Sequence, residues 1–76
     1  MTTTEIKKAL YKQKPTAELK FIRVGVAYYE TTITNDDDES TSRVEFQVPV
    51  IDMGDADYYS KMDAKLLNRY IVNEEN

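Results

Sequence analysis

Apolar and polar residues alternate most regularly from Arg43 to Val50. Val44, Phe46, Val48 and Val50 share one parity, and Arg43, Glu45, Gln47 and Pro49 share the other. Successive side chains on a strand leave opposite faces, so this segment predicts a strand with one apolar and one wet face. Pro49 falls on the wet parity near the strand end, where a missing N–H is tolerated. Upstream, residues 17–34 are rich in Leu, Phe, Ile, Val, Tyr and Thr, the residues that favour strands. They are too many for one ordinary strand, and Val24-Gly25 interrupts them. Glycine suits the third position of a type II turn, which predicts a hairpin with strands over 17–23 and 26–34. The competing reading is one long strand bulged at Gly25. The tight turn pairs Ile22 with Ala27 on one face, and Phe21 with Tyr28 on the other, where Leu19 joins them. Pairing across the next loop sets Tyr29, Thr31 and Ile33 beside Val44, Phe46 and Val48, which gives an antiparallel meander with one coherent apolar face.

Both flanks of the meander carry helical spacing. Thr2-Thr3-Thr4 offers N-cap hydroxyls, and Glu5 then sits in a first turn that favours negative charge. Ile6, Ala9, Leu10 and Gln13 form a narrow stripe over residues 4–13. Lys7, Lys8, Lys12 and Lys14 gather on the other faces and towards the C-terminal end. Pro15 ends this helix and pushes Lys14 towards an extended conformation. At the other end of the chain, Ser60 and Asp63 have the spacing of a capping box. Met62, Leu66, Leu67, Tyr70 and Ile71 recur at helical spacing over 61–72. The expectation is an α+β fold, a three-stranded antiparallel meander flanked by an N-terminal and a C-terminal helix, in the order α-β-β-β-α. Residues 1–76 form a single small domain. Residues 35–42 make an exposed acidic loop, and 73–76 a frayed tail.

Charge adds an asymmetry that the periodicity does not show. The net charge is −4, yet residues 1–23 carry six basic and two acidic groups, while 24–57 set Arg43 against nine acids. An acidic middle disfavours wrapping nucleic acid and favours basic partners; a solvated surface that maintains solubility is the bland counterpart. A chain of 76 residues buries a modest core, so association is a natural supplement to its stability. With no cysteine and no histidine, disulfides, thiolate metal sites and the commonest general base are all absent. No apolar run approaches the ~20 residues that span a bilayer, and the N-terminus lacks the regions of a signal peptide. No membrane association and a cytoplasmic location, with a virion as the variant, are the corresponding expectations.

Candidate chemistry is thin. An EF-hand loop needs ligands at positions 1, 3 and 5, glycine at 6 and an acid at 12. Starting at Asp36 or at Asp52, that pattern fails. Asp52, Asp55 and Asp57 cluster around Gly54, where aspartate is ordinary turn chemistry, and Ser60 has no histidine to activate it. The two glycines lie far apart and form no phosphate loop. The expectation is a protein that is not an enzyme, with no cofactor and no metal. Tyr28 and Tyr29 adjoin, so one of them leaves the core face. Leu19, Phe21 and Tyr28 then make an aromatic patch suited to a partner. Tyr58-Tyr59 is read as a staple into the core.

Ala9-Leu10-Tyr11-Lys12-Gln13-Lys14-Pro15, the segment from Val48 to Ala56 and the segment from Met62 to Ile71 resemble small uncharacterised proteins of gut-bacterial phages and prophages. The resemblance implies a compact phage accessory protein, acting on a host protein or within viral assembly, and it assigns no site residues. The leading expectation is therefore a protein-interaction module. Its partner, host or viral, would meet Leu19, Phe21 and Tyr28, or the loop Asp36, Asp37, Asp38 and Glu39 acting as a mimic of nucleic-acid charge. The alternatives are a homo-oligomeric assembly component, self-associating through Leu19, Phe21 and Tyr28, and a lesser single-strand nucleic-acid binder stacking bases on the aromatic face.

Overall fold

The computed structural model describes residues 2–35, 39–53 and 59–72. α1 (Thr3–Gln13), β1 (Thr16–Arg23), β2 (Val26–Thr34) and β3 (Thr41–Pro49) follow in order. Then come a 3-10 turn over Val50–Met53, a short β4 (Lys61–Asp63) and a 3-10 helix over Ala64–Tyr70. The fold is α+β, with one antiparallel sheet in the order β3-β2-β1-β4. The sheet has four strands rather than three, and the C-terminal segment is a strand and a 3-10 helix rather than one α-helix over 61–72.

α1 starts as its sequence indicates. The Thr2 hydroxyl accepts the Glu5 N–H at 3.2 Å, and the Glu5 carboxylate accepts the Thr2 N–H at 3.4 Å, which completes a capping box. Ile6 and Leu10 are buried, with Ala9 packed beside them. Gln13 clasps the end of β2, donating to the Thr34 carbonyl at 2.7 Å and accepting the Thr34 N–H at 2.8 Å. Lys14 is left-handed (φ 50°, ψ 51°) instead of extended, and its N–H donates to the Leu10 carbonyl at 3.0 Å. That conformation satisfies an orphan carbonyl while avoiding the right-handed region that Pro15 disfavours.

The β2–β3 register sets Tyr29 opposite Phe46, Thr31 opposite Val44 and Ala27 opposite Val48. All six are buried, and Ile33 extends the row. The two polar tips in this core are satisfied. The Thr31 hydroxyl donates to the Thr16 carbonyl at 2.9 Å, and the Tyr29 hydroxyl donates to the Tyr59 carbonyl at 2.8 Å. Pro49 ends an edge strand with its side exposed, where its missing N–H breaks no ladder.

The β1–β2 hairpin turns on two residues, with φ of 51° at Val24 and 78° at Gly25. Positive φ at both positions is the type I′ signature, not type II. The right-handed twist of paired strands favours the primed turn. Farther along, Leu19 pairs with Tyr29 but Phe21 pairs with Tyr28. Lys20 is thus an extra residue, a β-bulge that resets the alternation of β1.

The C-terminal segment closes the core. Ser60 and Lys61–Asp63 lie along the first half of β1, with the Leu19 N–H donating to the Ser60 carbonyl at 2.8 Å. Ala64–Tyr70 then crosses the apolar face, and Ile71 bridges to Phe46 while the Val72 N–H donates to the Glu45 carbonyl at 3.0 Å. One segment therefore touches both edges of the sheet. From outside β1 to outside β3 is four strand spacings, roughly 19 Å. Seven residues rise about 14 Å as a 3-10 helix but only about 10 Å as an α-helix, so the stretched form reaches further. A period of three aligns Ala64, Leu67 and Tyr70 towards the sheet. Ala64 and Leu67 are buried and Tyr70 is half-buried, whereas Leu66 is 60% exposed. The N-cap is Asp63, whose carboxylate accepts the Lys65 N–H at 3.1 Å. Ser60 does not cap the helix, because its backbone is engaged with β1.

Val24 is a β-branched residue held left-handed, a conformation that costs about 1–2 kcal/mol. Val24→Asn places there a residue that type I′ turns favour. It is expected to raise the thermal midpoint by about 4–8 °C, measured by calorimetry. An unchanged or lowered midpoint would contradict the turn assignment.

Candidate interaction surface

The sheet face turned away from α1 carries three zones. At the hairpin end, Phe21 stacks on Tyr28 with ring centroids 4.4 Å apart and planes 20° from parallel. Phe21 is half exposed and Tyr28 is half-buried beneath it. Val26 and Pro49 form the next pair towards the turn. In the middle, Glu18, Glu30 and Glu45 line up across β1, β2 and β3. Like charges directly opposite one another destabilise a sheet, and two cations interleave here. Lys20 reaches Glu18 at 4.0 Å and Glu30 at 3.8 Å, and Arg43 reaches Glu30 at 3.6 Å. Lys20, two residues after Glu18, takes the open face by ordinary alternation, and the bulge then adds Phe21 to that same face. At the far end Thr32, Thr34 and Thr41 are exposed. Among the described residues, no helix packs on this face.

The expected site residues are divided by this arrangement. Phe21 and Tyr28 come together as anticipated. Leu19 does not join them: the bulge at Lys20 sends it to the opposite face, where it pairs with Tyr29 and packs on the core. Glu39 is exposed with φ of 60°, in the loop beyond Thr34, its N–H donating to the Asn35 carbonyl at 3.2 Å. Asp36, Asp37 and Asp38 lie outside the described residues. Tyr28 and Thr34 are six residues apart on β2, about 20 Å. The aromatic stack and Glu39, which lies beyond Thr34, are therefore on separate parts of the surface. Several apolar residues at the hairpin end were not singled out from sequence. Ile22 is 41% exposed, Val24 93% and Ile51 88%. The signal for Val24 was present, since an aliphatic residue in a two-residue turn has nowhere to bury itself.

The opposite face bears a shallow groove of about 280 Å³ between Val48, Tyr59, Met62, Leu66 and Tyr70. Tyr59 is 55% exposed here and offers its carbonyl, not its ring, to the core, so it is no staple; Tyr58 lies outside the described residues. The Tyr70 hydroxyl donates to Asp52 at 3.0 Å, and the Arg69 guanidinium lies 5.8 Å from the Tyr70 ring centre. Asp52 is thereby committed to a structural bond; Gly54, Asp55 and Asp57 lie outside the described residues. Among the described residues no three potential metal ligands converge, and no helix is long and apolar enough to cross a membrane. No protein-family model, curated protein or solved structure matches this chain.

Two phenols titrate above the ordinary tyrosine value of 10.0. The hydrogen bond to Asp52 holds Tyr70 up, burial and the Asp52 charge add to it, and Arg69 opposes it. Burial alone raises Tyr29. A phenol whose pKa is higher in the folded chain contributes stability below pH 10, and that contribution is lost as pH rises through the folded value. Ultraviolet titration of tyrosinate is expected to show two phenols ionising late. Tyr70→Phe should remove one late component, and its persistence would contradict the Asp52 assignment.

Proposed function

We propose that this chain is a non-enzymatic protein-interaction module that meets its partner with the open face of the sheet at the hairpin end. The supporting observation is the Phe21–Tyr28 stack, standing half exposed on a face that no described helix covers. Aromatic pairs supply large contact area at low side-chain entropy, and tyrosine adds a polar tip at the rim. The neighbouring glutamate row, trimmed by Lys20 and Arg43, gives that face both signs of charge for fixing orientation. A basic groove is not required of the partner, because the aromatic end lies about 20 Å from the Thr34 end of β2, beyond which Glu39 sits. Nucleic acid is the poorer ligand, since the carboxylates of Glu18, Glu30 and Glu45 stand beside the rings on which bases would stack. The phage accessory setting implied by the resemblance makes a host or viral protein the natural partner.

Capture from a host-cell lysate, with and without nuclease, compares three baits. Wild type is expected to retain one dominant protein after nuclease treatment. Phe21→Ser with Tyr28→Ser is expected to lose it by tenfold or more, an effect of about 1.4 kcal/mol or above. Asp36→Asn, Asp37→Asn, Asp38→Asn with Glu39→Gln is expected to retain it. Loss with the loop variant alone would transfer the function to the acidic loop. Loss of everything after nuclease would favour a nucleic-acid ligand.

A further inference from the structure

The two sheet edges are closed unequally. β3 is covered at Glu45 and Phe46 by Ile71 and Val72, and ends in Pro49. β1 is covered by β4 only over Thr16–Glu18, with one further bond from Leu19 to Ser60. At Tyr59 the carbonyl is drawn over the core face, where it accepts the Tyr29 hydroxyl. Among the described residues, the hairpin half of β1 has no strand beside it.

The hydrogen-bonding phase of that half follows from the turn. Arg23 and Val26 close the two-residue hairpin, so their N–H and C=O groups face each other across it. Ile22, one residue back, therefore directs its N–H and C=O away from β2 and towards the open edge. Its side chain lies on the core face, 41% exposed. Phe21 and Arg23 flank it on the open face, and among the described residues Arg23 has no ion-pair partner.

We infer that two copies of this chain pair antiparallel through the hairpin half of β1, about a two-fold axis at Ile22. The pattern is self-complementary under that operation, as an isologous contact requires. Each Ile22 N–H meets the other copy's Ile22 carbonyl, and the two Ile22 side chains meet on the core face. Each Arg23 falls opposite the other copy's Phe21, where its guanidinium gains a ring face. Each Val24, 93% exposed at the strained turn, comes beside the other copy's Lys20 stem. A two-fold axis normal to the sheet keeps both open faces on one side. The dimer is an eight-stranded sheet with two Phe21–Tyr28 stacks near its centre, which doubles the proposed partner surface. The bulge at Lys20 and the start of β4 limit the pairing to this short stretch, so propagation into longer assemblies is blocked.

Sedimentation of the full chain over a wide concentration range, with amide exchange read residue by residue, tests this directly. The mass is expected to double with concentration, and the Ile22 amide to slow in parallel while the Leu19 amide stays equally protected throughout. Arg23→Glu, an exposed substitution, should weaken association about tenfold or more with the Leu19 amide still protected. Tyr11→Ser, on α1, should leave association unchanged. A monomer at every concentration would overturn the inference. So would a dimer whose Ile22 amide exchanges at the same rate as in the monomer. Neither result bears on capture of a different protein by the open face.

Discussion

Closure of one apolar sheet face by a segment that must also reach both sheet edges is the constraint on which the rest of this fold depends. Tyr29, Phe46, Val44 and Ile33 are fully buried, and α1 alone, with a stripe of Ile6, Ala9 and Leu10, is too narrow to cover them. Residues 60–72 complete the cover. Their ends are fixed by backbone bonds to β1 on one side and β3 on the other, so the distance between edges selects the form of the crossing. Runs of 3-10 helix beyond three or four residues are uncommon because their hydrogen bonds are poorer. Here the extra reach per residue, and the burial of Ala64 and Leu67, outweigh that deficit.

The same economy shapes the opposite face. Three glutamates in one cross-strand row would repel, and Lys20, on their face two residues after Glu18, offsets that repulsion. A regular β1 with Leu19 on the core would send Phe21 to the core face as well, and the bulge prevents that. It leaves Leu19 on the core and sets Phe21 over Tyr28. The ion pairs are exposed and each contributes no more than about 1 kcal/mol. Their role is to make the charge row tolerable and to leave the aromatic end as the adhesive part of the face. A phase reset in one strand thus links core packing to the composition of the proposed interaction surface.

Much of this was legible in the chain. The alternation of Val44, Phe46 and Val48 placed β3 and its buried face correctly. The hairpin break at Val24-Gly25 placed β1 and β2, and the Phe21–Tyr28 pairing followed from the two-residue turn. The N-terminal cap and the Ile6–Leu10 stripe were equally readable. Other features depend on tertiary context. Spacings of three and four are shared by α- and 3-10 helices over one or two turns, so Met62, Leu66, Leu67 and Tyr70 could not reveal which period wins; the width of the sheet decides it. A bulge leaves no local mark when the strand is uniformly β-forming, and Leu19 was therefore assigned to the wrong face. The turn type was misread because Val24, the residue least suited to positive φ, occupies a position where asparagine is the usual sign.

The central claim is that the crossing helix buries every third residue against the sheet. Its most direct test is the equilibrium unfolding of Leu67→Ala beside Leu66→Ala. The neighbours are alike in chemistry and differ in exposure, 3% against 60%. The account predicts a loss of about 2–5 kcal/mol for Leu67→Ala, enough to unfold much of a domain this small. For Leu66→Ala it predicts a change within about 0.5 kcal/mol. Comparable losses at both positions would contradict it, because an apolar stripe wide enough to bury both leucines belongs to an α-helix.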